Sequence, residues 1–227
     1  MKVFSLGLLA LVLAFSGCST RSNPGDLPSE VVEWAEANLW QVLTPLGTGS
    51  GWFYDENTAI TACHVVNGSK SIQLYNKLTD EYLYFRIVSC NKELDIAVLK
   101  RMDVLNVINL AIKKTIIELE SPKRGQIIYG PGFPLGEQLV ITHGHMQFAK
   151  DEGERAGQWL TSVPTIFGDS GSPVVRLKNG RVVVSGMRLS IRGVPQGFGM
   201  TSFITYMTLV ASGISIQKEI TKSNGSK

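Results

Sequence analysis

Short apolar runs, separated by turn residues, fill most of this chain. From Gln41 onward they read "GSGWFY", "TAITACHVV", "SIQLYN", "YLYFRIVSC" and "DIAVLKR", then "GQIIYG", "EQLVITHGHMQF", "GQWLTSV", "GSPVVRL", "GRVVVSGMRLSI" and "GFGMTSFI". Runs of this length with Gly, Asn and Asp between them predict the strands of an all-β sandwich or barrel. About eleven strands in two similar sets predict two small barrels rather than one large sheet. The seam falls near residues 115–124, where "ELESPKRG" is polar and carries Pro122. Asn67-Gly68 and Asn179-Gly180 predict tight hairpins. Asn67-Gly68-Ser69 also fits a glycosylation acceptor, but a turn is the simpler reading.

Helical spacing occurs only near the ends. In "EVVEWAEANLW", Val31, Val32, Trp34, Ala35 and Leu39 fall near one helical face, which predicts a short helix packed on the body. "MTLVASGISI" predicts a short C-terminal helix, and "QKEITKSNGSK" a polar tail that frays. The first residues follow another rule. "MKVFSLGLLALVLAFSGCST" has an early cation, Lys2, an apolar run from Val3 to Phe15, then Ser16, Gly17 and Cys18. That is the anatomy of an export signal, and the run is shorter than the roughly 18 residues of a membrane-spanning helix. "FSGC" resembles the bacterial lipoprotein signal, in which cleavage leaves a lipidated cysteine, although Phe15 stands where leucine is usual. The expected layout is a signal over 1–17, a tether over 18–30, the N-terminal helix and first barrel over 31–118, the second barrel over 119–212 and a polar tail over 213–227. The chain is then exported and anchored by a lipid on Cys18, facing the periplasm or the cell exterior. Simple secretion or a retained anchor is the alternative.

Composition adds limits. Hydrophobic residues make up 44% of the 227 and charged residues 18%, as in a packed globular protein. A net charge of +3 with only the short basic pairs Lys113-Lys114 and Lys123-Arg124 argues against nucleic acid as a partner. With Cys18 lipidated, Cys63 and Cys90 remain. An oxidising compartment permits a disulfide between them, but free buried thiols fit the sequence equally.

The candidate chemistry starts from scarcity. The chain has three histidines, His64, His143 and His145. His64 closes "AITACHVV", Asp95 opens "DIAVL", and Ser170 lies in "TIFGDSGSPVV". Their order, His–Asp–Ser, is one of the known orders for a nucleophilic serine with its base and orienter. Neither histidine nor aspartate follows Ser170, so an order with base and acid downstream is impossible for it. The G-x-S-x-G elbow fails because Ser172 occupies its second glycine position. An Asp–His–Ser order would need Asp26, in the tether, or Asp55, in a turn. His143 and His145 alternate along a strand and face one way. Two imidazoles do not complete a zinc site, so no metal is expected, and they fit an exposed strand or a cleft wall.

Together "TACHVV", "DIAVLK" and "GDSGSP" resemble the chymotrypsin-like (trypsin-like) serine proteases. "GTGSGWFYDENTAITACHVV", "IIYGPGFPLG" and "SVPTIFGDSGSPVVRLKNGRVVVSGM" are similar to the high-temperature-requirement branch of bacterial proteases, over roughly residues 45–205. No counterpart of that branch's PDZ domain is expected, and Ser172 replaces a glycine common in the motif. The resemblance implies an all-β chymotrypsin-like double barrel, two six-stranded antiparallel β-barrels, and a serine endopeptidase acting on polypeptides without a cofactor. It assigns Ser170 as nucleophile, His64 as general base and acid, and Asp95 as the group that orients His64. Gly168 and Ser170 would donate their N–H groups to the oxyanion. Asp169 is expected to tie the loop down through local hydrogen bonds. The substrate pocket is expected at Pro164 and Thr165, with walls from Met187–Ile191 and near Gly199. Arg188 either lends that pocket a cation or points to solvent, and the latter is favoured. The rival readings are a protease-like scaffold with an unused site, and an acyltransferase or esterase on the same machinery.

Overall fold

The computed structural model describes residues 26–102, 110–150, 157–196 and 203–225. The export signal, Cys18 and Gly199 lie outside them. The chain begins with helix α1 (Ser29–Asn38), then strands β1 (Leu39–Thr44), β2 (Gly47–Asp55) and β3 (Thr58–Ala62). Helix α2 (Cys63–Val66) leads to β4 (Ile72–Asn76), β5 (Glu81–Asn91) and β6 (Ile96–Arg101). The second half holds β7 (Ile127–Gly132), β8 (Val140–Lys150), β9 (Gln158–Thr161), β10 (Pro173–Lys178), β11 (Arg181–Gln196), β12 (Phe203–Ser212) and α3 (Gly213–Gly225). Two closed six-stranded barrels result, in the order β1-β2-β3-β6-β5-β4 and β10-β11-β12-β9-β8-β7.

The continuous apolar runs in β3 and β6 have a simple cause: both faces of these strands are buried. Side chains alternate across a strand. Ala59, Ala97 and Leu99 therefore enter the core of the first barrel, with Trp40, Phe53, Leu74 and Phe85. Ile60, Ala62, Ile96 and Val98 face the other way, into a shared core with Val184, Met187 and Leu209 of the second barrel. Val31, Trp34 and Ala35 of α1 and Ile216 and Ile220 of α3 join that shared core. The second barrel closes around Ile128, Met146, Trp159, Val174 and Val210.

The connecting segment is fixed by charge. Glu118, almost fully buried, accepts two hydrogen bonds from the Arg176 guanidinium, one from Lys178 Nζ and one from Ser185 Oγ. Burial alone would raise its carboxyl pKa, but Arg176, Lys178 and Ser185 together hold it below the ordinary value.

Two expectations change. Asn67-Gly68 is not a hairpin; it follows α2, with Gly68 at φ +82°. Asn179-Gly180 does join two paired strands, β10 and β11, with φ +52° and +70°. The C-terminal helix occupies the segment read as a fraying tail, while "MTLVAS" belongs to β12. That helix is held because Glu219, on its buried face, accepts from Ser89 Oγ and from Asn91 Nδ2 of β5.

Cys63 and Cys90 form a disulfide between α2 and β5, with Cα atoms 5.2 Å apart. It closes a 27-residue loop. A cross-link of that span stabilises by about 3–4 kcal/mol through the unfolded state. Reduction, or the Cys63→Ala/Cys90→Ala variant, should lower the free energy of unfolding by that order in urea titrations. An unchanged midpoint would contradict it.

Candidate active site

His64 stands on a single helical turn rather than at a strand end. The preceding residue, Ala62, offers no side chain to cap that turn. Asp95 does so from the start of β6. Its backbone oxygen accepts the Cys63 N–H at 3.2 Å, and its Oδ1 accepts the His64 N–H at 2.8 Å. The first amides of a helix need such partners. The same carboxylate uses Oδ2 to accept from His64 Nδ1 at 2.6 Å. A carboxylate only accepts, so Nδ1 carries the proton and Nε2 is left as the basic nitrogen. Asp95 reaches both groups from a left-handed conformation, φ +56°, which aspartate tolerates better than most residues.

Ser170 lies in the turn before β10. Its loop is pressed against the first barrel at two glycines. A methyl group on Gly171 would collide with Ser50 O and Thr61 Oγ1 and stand 2.8 Å from Ala62 N. A methyl on Gly49 would meet Val65, beside His64, at 2.8 Å and Ser170 O at 3.0 Å. The loop and the histidine turn thus share one seam. The Ser170 hydroxyl itself donates to Leu189 O at 3.2 Å, not to His64.

Ser50 of β2, fully buried, joins the barrels here. Its N–H donates to Ser170 O at 2.9 Å, and its Oγ donates to Gly168 O at 2.8 Å and accepts from Phe133 N at 3.2 Å. A second brace comes from the turn after β7. Leu135, at φ +55°, donates its N–H to Phe167 O at 2.6 Å. Gln41 and Lys77 of the first barrel hold that turn through Gly136 O, at 3.1 and 2.7 Å. With Phe167 O fixed, the Gly168 N–H must point the opposite way, because the peptide is planar and trans. Neither the Gly168 N–H nor the Ser170 N–H donates to another described residue.

Asp169 accepts from Ile166 N at 3.0 Å and from Thr165 Oγ1 at 3.5 Å, which are the expected local bonds. It also pairs with Arg188 Nη1 at 3.2 Å. Burial raises the Asp169 carboxyl pKa, and Arg188, Ile166 N–H and Thr165 oppose it. Arg188 requires a correction. It is only 1% exposed, so it does not point to solvent. Its guanidinium is engaged by Asp169, Ser172 Oγ, Pro164 O and Pro131 O, so it offers no free cation to a pocket either. Pro164 is exposed and Thr165 half-buried beside it. His143 faces Tyr129 across β7 and β8, 6.5 Å between ring centres, and His145 pairs in register with Ile127. Among the described residues no group of three or more His, Cys, Asp or Glu side chains could hold a metal.

Sequence reasoning missed Ser50 and Leu135. The first had a signal, a serine between two glycines in "GTGSG"; the second had none, since leucine rarely marks a left-handed turn.

A family model described as a trypsin-like peptidase domain matches residues 49–184. No curated protein matches the chain in sequence. Among solved structures it is similar to the active form of the Rv3671c protease from M. tuberculosis, with 20% identity and a TM-score of 0.66 over 87% of this chain and 85% of that one. The serine endoprotease from Yersinia pestis gives 19% identity and 0.66, over 87% and 68%. The HtrA-type protease AlgW with a tripeptide gives 18% identity and 0.68, over 86% and 62%. At these identities the likeness is one of fold.

Gly168 tests the loop geometry directly. Its φ is +95°, and a methyl group there would collide with Phe133 O. Gly168→Ala should lower thermal stability by the equivalent of roughly 1–3 kcal/mol and displace Phe167 O from Leu135 N. Calorimetry and amide exchange at Leu135 check both, and wild-type values for both would contradict the geometry.

Proposed function

The chain belongs to the trypsin-like peptidase family, and on that premise we propose that His64, Asp95 and Ser170 are the triad of a serine endopeptidase, with the Gly168 and Ser170 amides as its oxyanion hole. One observation carries the assignment: Asp95 grips both the His64 amide and its Nδ1, leaving Nε2 basic on the seam where the Ser170 loop docks. For reaction, the Ser170 hydroxyl turns from Leu189 O to Nε2. Oγ then attacks the substrate carbonyl while Nε2 takes its proton. The carbonyl oxygen becomes an anion, and two unengaged amides suit its charge. Collapse breaks the C–N bond, and the leaving amine takes the proton from His64. Water, deprotonated by His64, attacks the Ser170 ester, and return of that proton to Oγ releases the acid. Asp95 keeps the imidazole in one tautomer and stabilises its cation.

Pro164 and Thr165 are the proposed floor of the pocket for the side chain before the cut bond. Phe167 is 87% exposed, and Leu135 and Ile166 are exposed near it, which gives the loop an apolar lip suited to a polypeptide substrate. Residues 1–17 are proposed as an export signal and Cys18 as the lipidated residue that holds the protein at a membrane outside the cytoplasm. The Cys63–Cys90 disulfide supports an oxidising compartment.

Ser170→Ala should abolish peptide hydrolysis and labelling by a fluorophosphonate while the melting temperature stays that of the wild type. Equal labelling of the two proteins contradicts the assignment.

A further inference from the structure

We propose that Arg188 is a positioning residue for peptide hydrolysis: its buried guanidinium locks Asp169, and with it the amides of Gly168 and Ser170 on either side, where the oxyanion needs them. The inference rests on the triad reading above.

Asp169 is 4% exposed, and an unpaired charge at such depth is strongly unfavourable. Two local partners, Ile166 N–H and Thr165 Oγ1, do not carry positive charge. Among the described residues Arg188 is the cation paired with it. Arg188 does more than neutralise. Nε donates to Ser172 Oγ at 2.6 Å, Nη1 to Pro164 O at 3.0 Å and Nη2 to Pro131 O at 2.7 Å. Ser172 Oγ donates in turn to Asp169 O at 2.6 Å. One planar group therefore ties the front of the loop at Pro164, its middle at Asp169 and its end at Ser172 to the end of β7. The Arg188 backbone adds two bonds: its N–H donates to Ser172 O at 2.8 Å, and its carbonyl accepts from Gly171 N at 2.9 Å.

The sequence has made room for this group. Gly130 and Gly132 fall on one face of β7, two residues apart. A methyl on Gly132 would collide with Arg188 Nη2 and Asp169 Oδ1; one on Gly130 would meet Val163 Cγ1 at 2.5 Å first and stand 3.3 Å from Arg188 Cζ, so Gly132 is the glycine that clears the guanidinium. Lysine cannot replace the fork, since its ammonium is a point charge without the fixed donor geometry. The compensating cation is thus carried on β11, inside the folded body.

The test uses the full-length protein with a peptide substrate and a fluorophosphonate. Arg188→Lys should fold, lower kcat by about 10²–10³-fold, the effect of losing an oxyanion donor, and leave KM within about threefold of wild type. The rate of phosphonylation should fall in parallel. Arg188→Met strands the Asp169 charge and can fail to fold, so Arg188→Met/Asp169→Asn, which removes both charges, is the second arm. It should keep near-wild-type near-UV circular dichroism and still show the kcat loss. Folded variants with wild-type kcat overturn the inference. So does a rise in KM with kcat intact, which is the mark of a lost pocket contact. A wild type that takes no label at Ser170 overturns the triad reading and this inference together; a wild type that labels while the folded variants keep kcat overturns this inference alone.

Discussion

The apposition of the two barrels at Ser50 is the constraint on which the site depends. Both barrels are closed, and the proposed base and the proposed nucleophile come from different ones. His64 and Asp95 belong to the first barrel, Ser170 to the second, and a hydroxyl that must meet an imidazole tolerates little play. Ser50 fixes the joint with bonds to Gly168 O, Ser170 O and Phe133 N from one fully buried residue. Thr61 Oγ1 donates to Ser50 O at 2.8 Å and so relates this joint to β3, the strand that leads into His64. Gly171 is small because backbones touch there: a methyl group on it would collide with Ser50 O and stand 2.8 Å from Ala62 N.

Charge is handled by the same economy throughout. Buried carboxylates in this fold serve as ties between segments distant in sequence. Glu118 joins the connecting segment to β10 and β11, Glu219 joins α3 to β5, and Asp169 joins the nucleophile loop to β11. Asp95 differs in being partly open, with its side chain 24% exposed. It shares its carboxylate between a backbone amide, at Oδ1, and an imidazole, at Oδ2, so the group that caps a helical turn also selects a tautomer. Structure and chemistry meet in one residue there.

Much of this was legible in the sequence. Short apolar runs and turn spacing predicted two small barrels, the family resemblance gave each its six strands, and the absence of His and Asp after Ser170 removed the orders with base and acid downstream. What was not legible had local causes. "TACHVV" is apolar enough for a strand, but its amides are capped by Asp95, more than thirty residues away in sequence. The polar tail forms a helix because Ile216, Glu219 and Ile220 fall on one face, a pattern hidden by Gln217 and Lys218 between them and the polar residues after them. Arg188 looked like a solvated charge because lone arginines on strands usually are. Its burial follows from partners on two other segments, the Pro164–Ser172 loop and β7, and from Gly132, which clears its space, none of which spacing along the chain reveals. Cys63 and Cys90 were compatible with either thiol state until α2 and β5 placed them side by side.

The central claim is that Ser170 reacts while the Gly168 and Ser170 amides face the developing anion. A crystal structure of the fluorophosphonate adduct tests it most directly. Phosphorus is expected on Ser170 Oγ, with its phosphoryl oxygen at about 2.7–3.1 Å from both amide nitrogens, and His64 Nε2 beside Oγ with the Asp95 contact kept. An adduct on another residue, or a phosphoryl oxygen turned away from both amides, would contradict it.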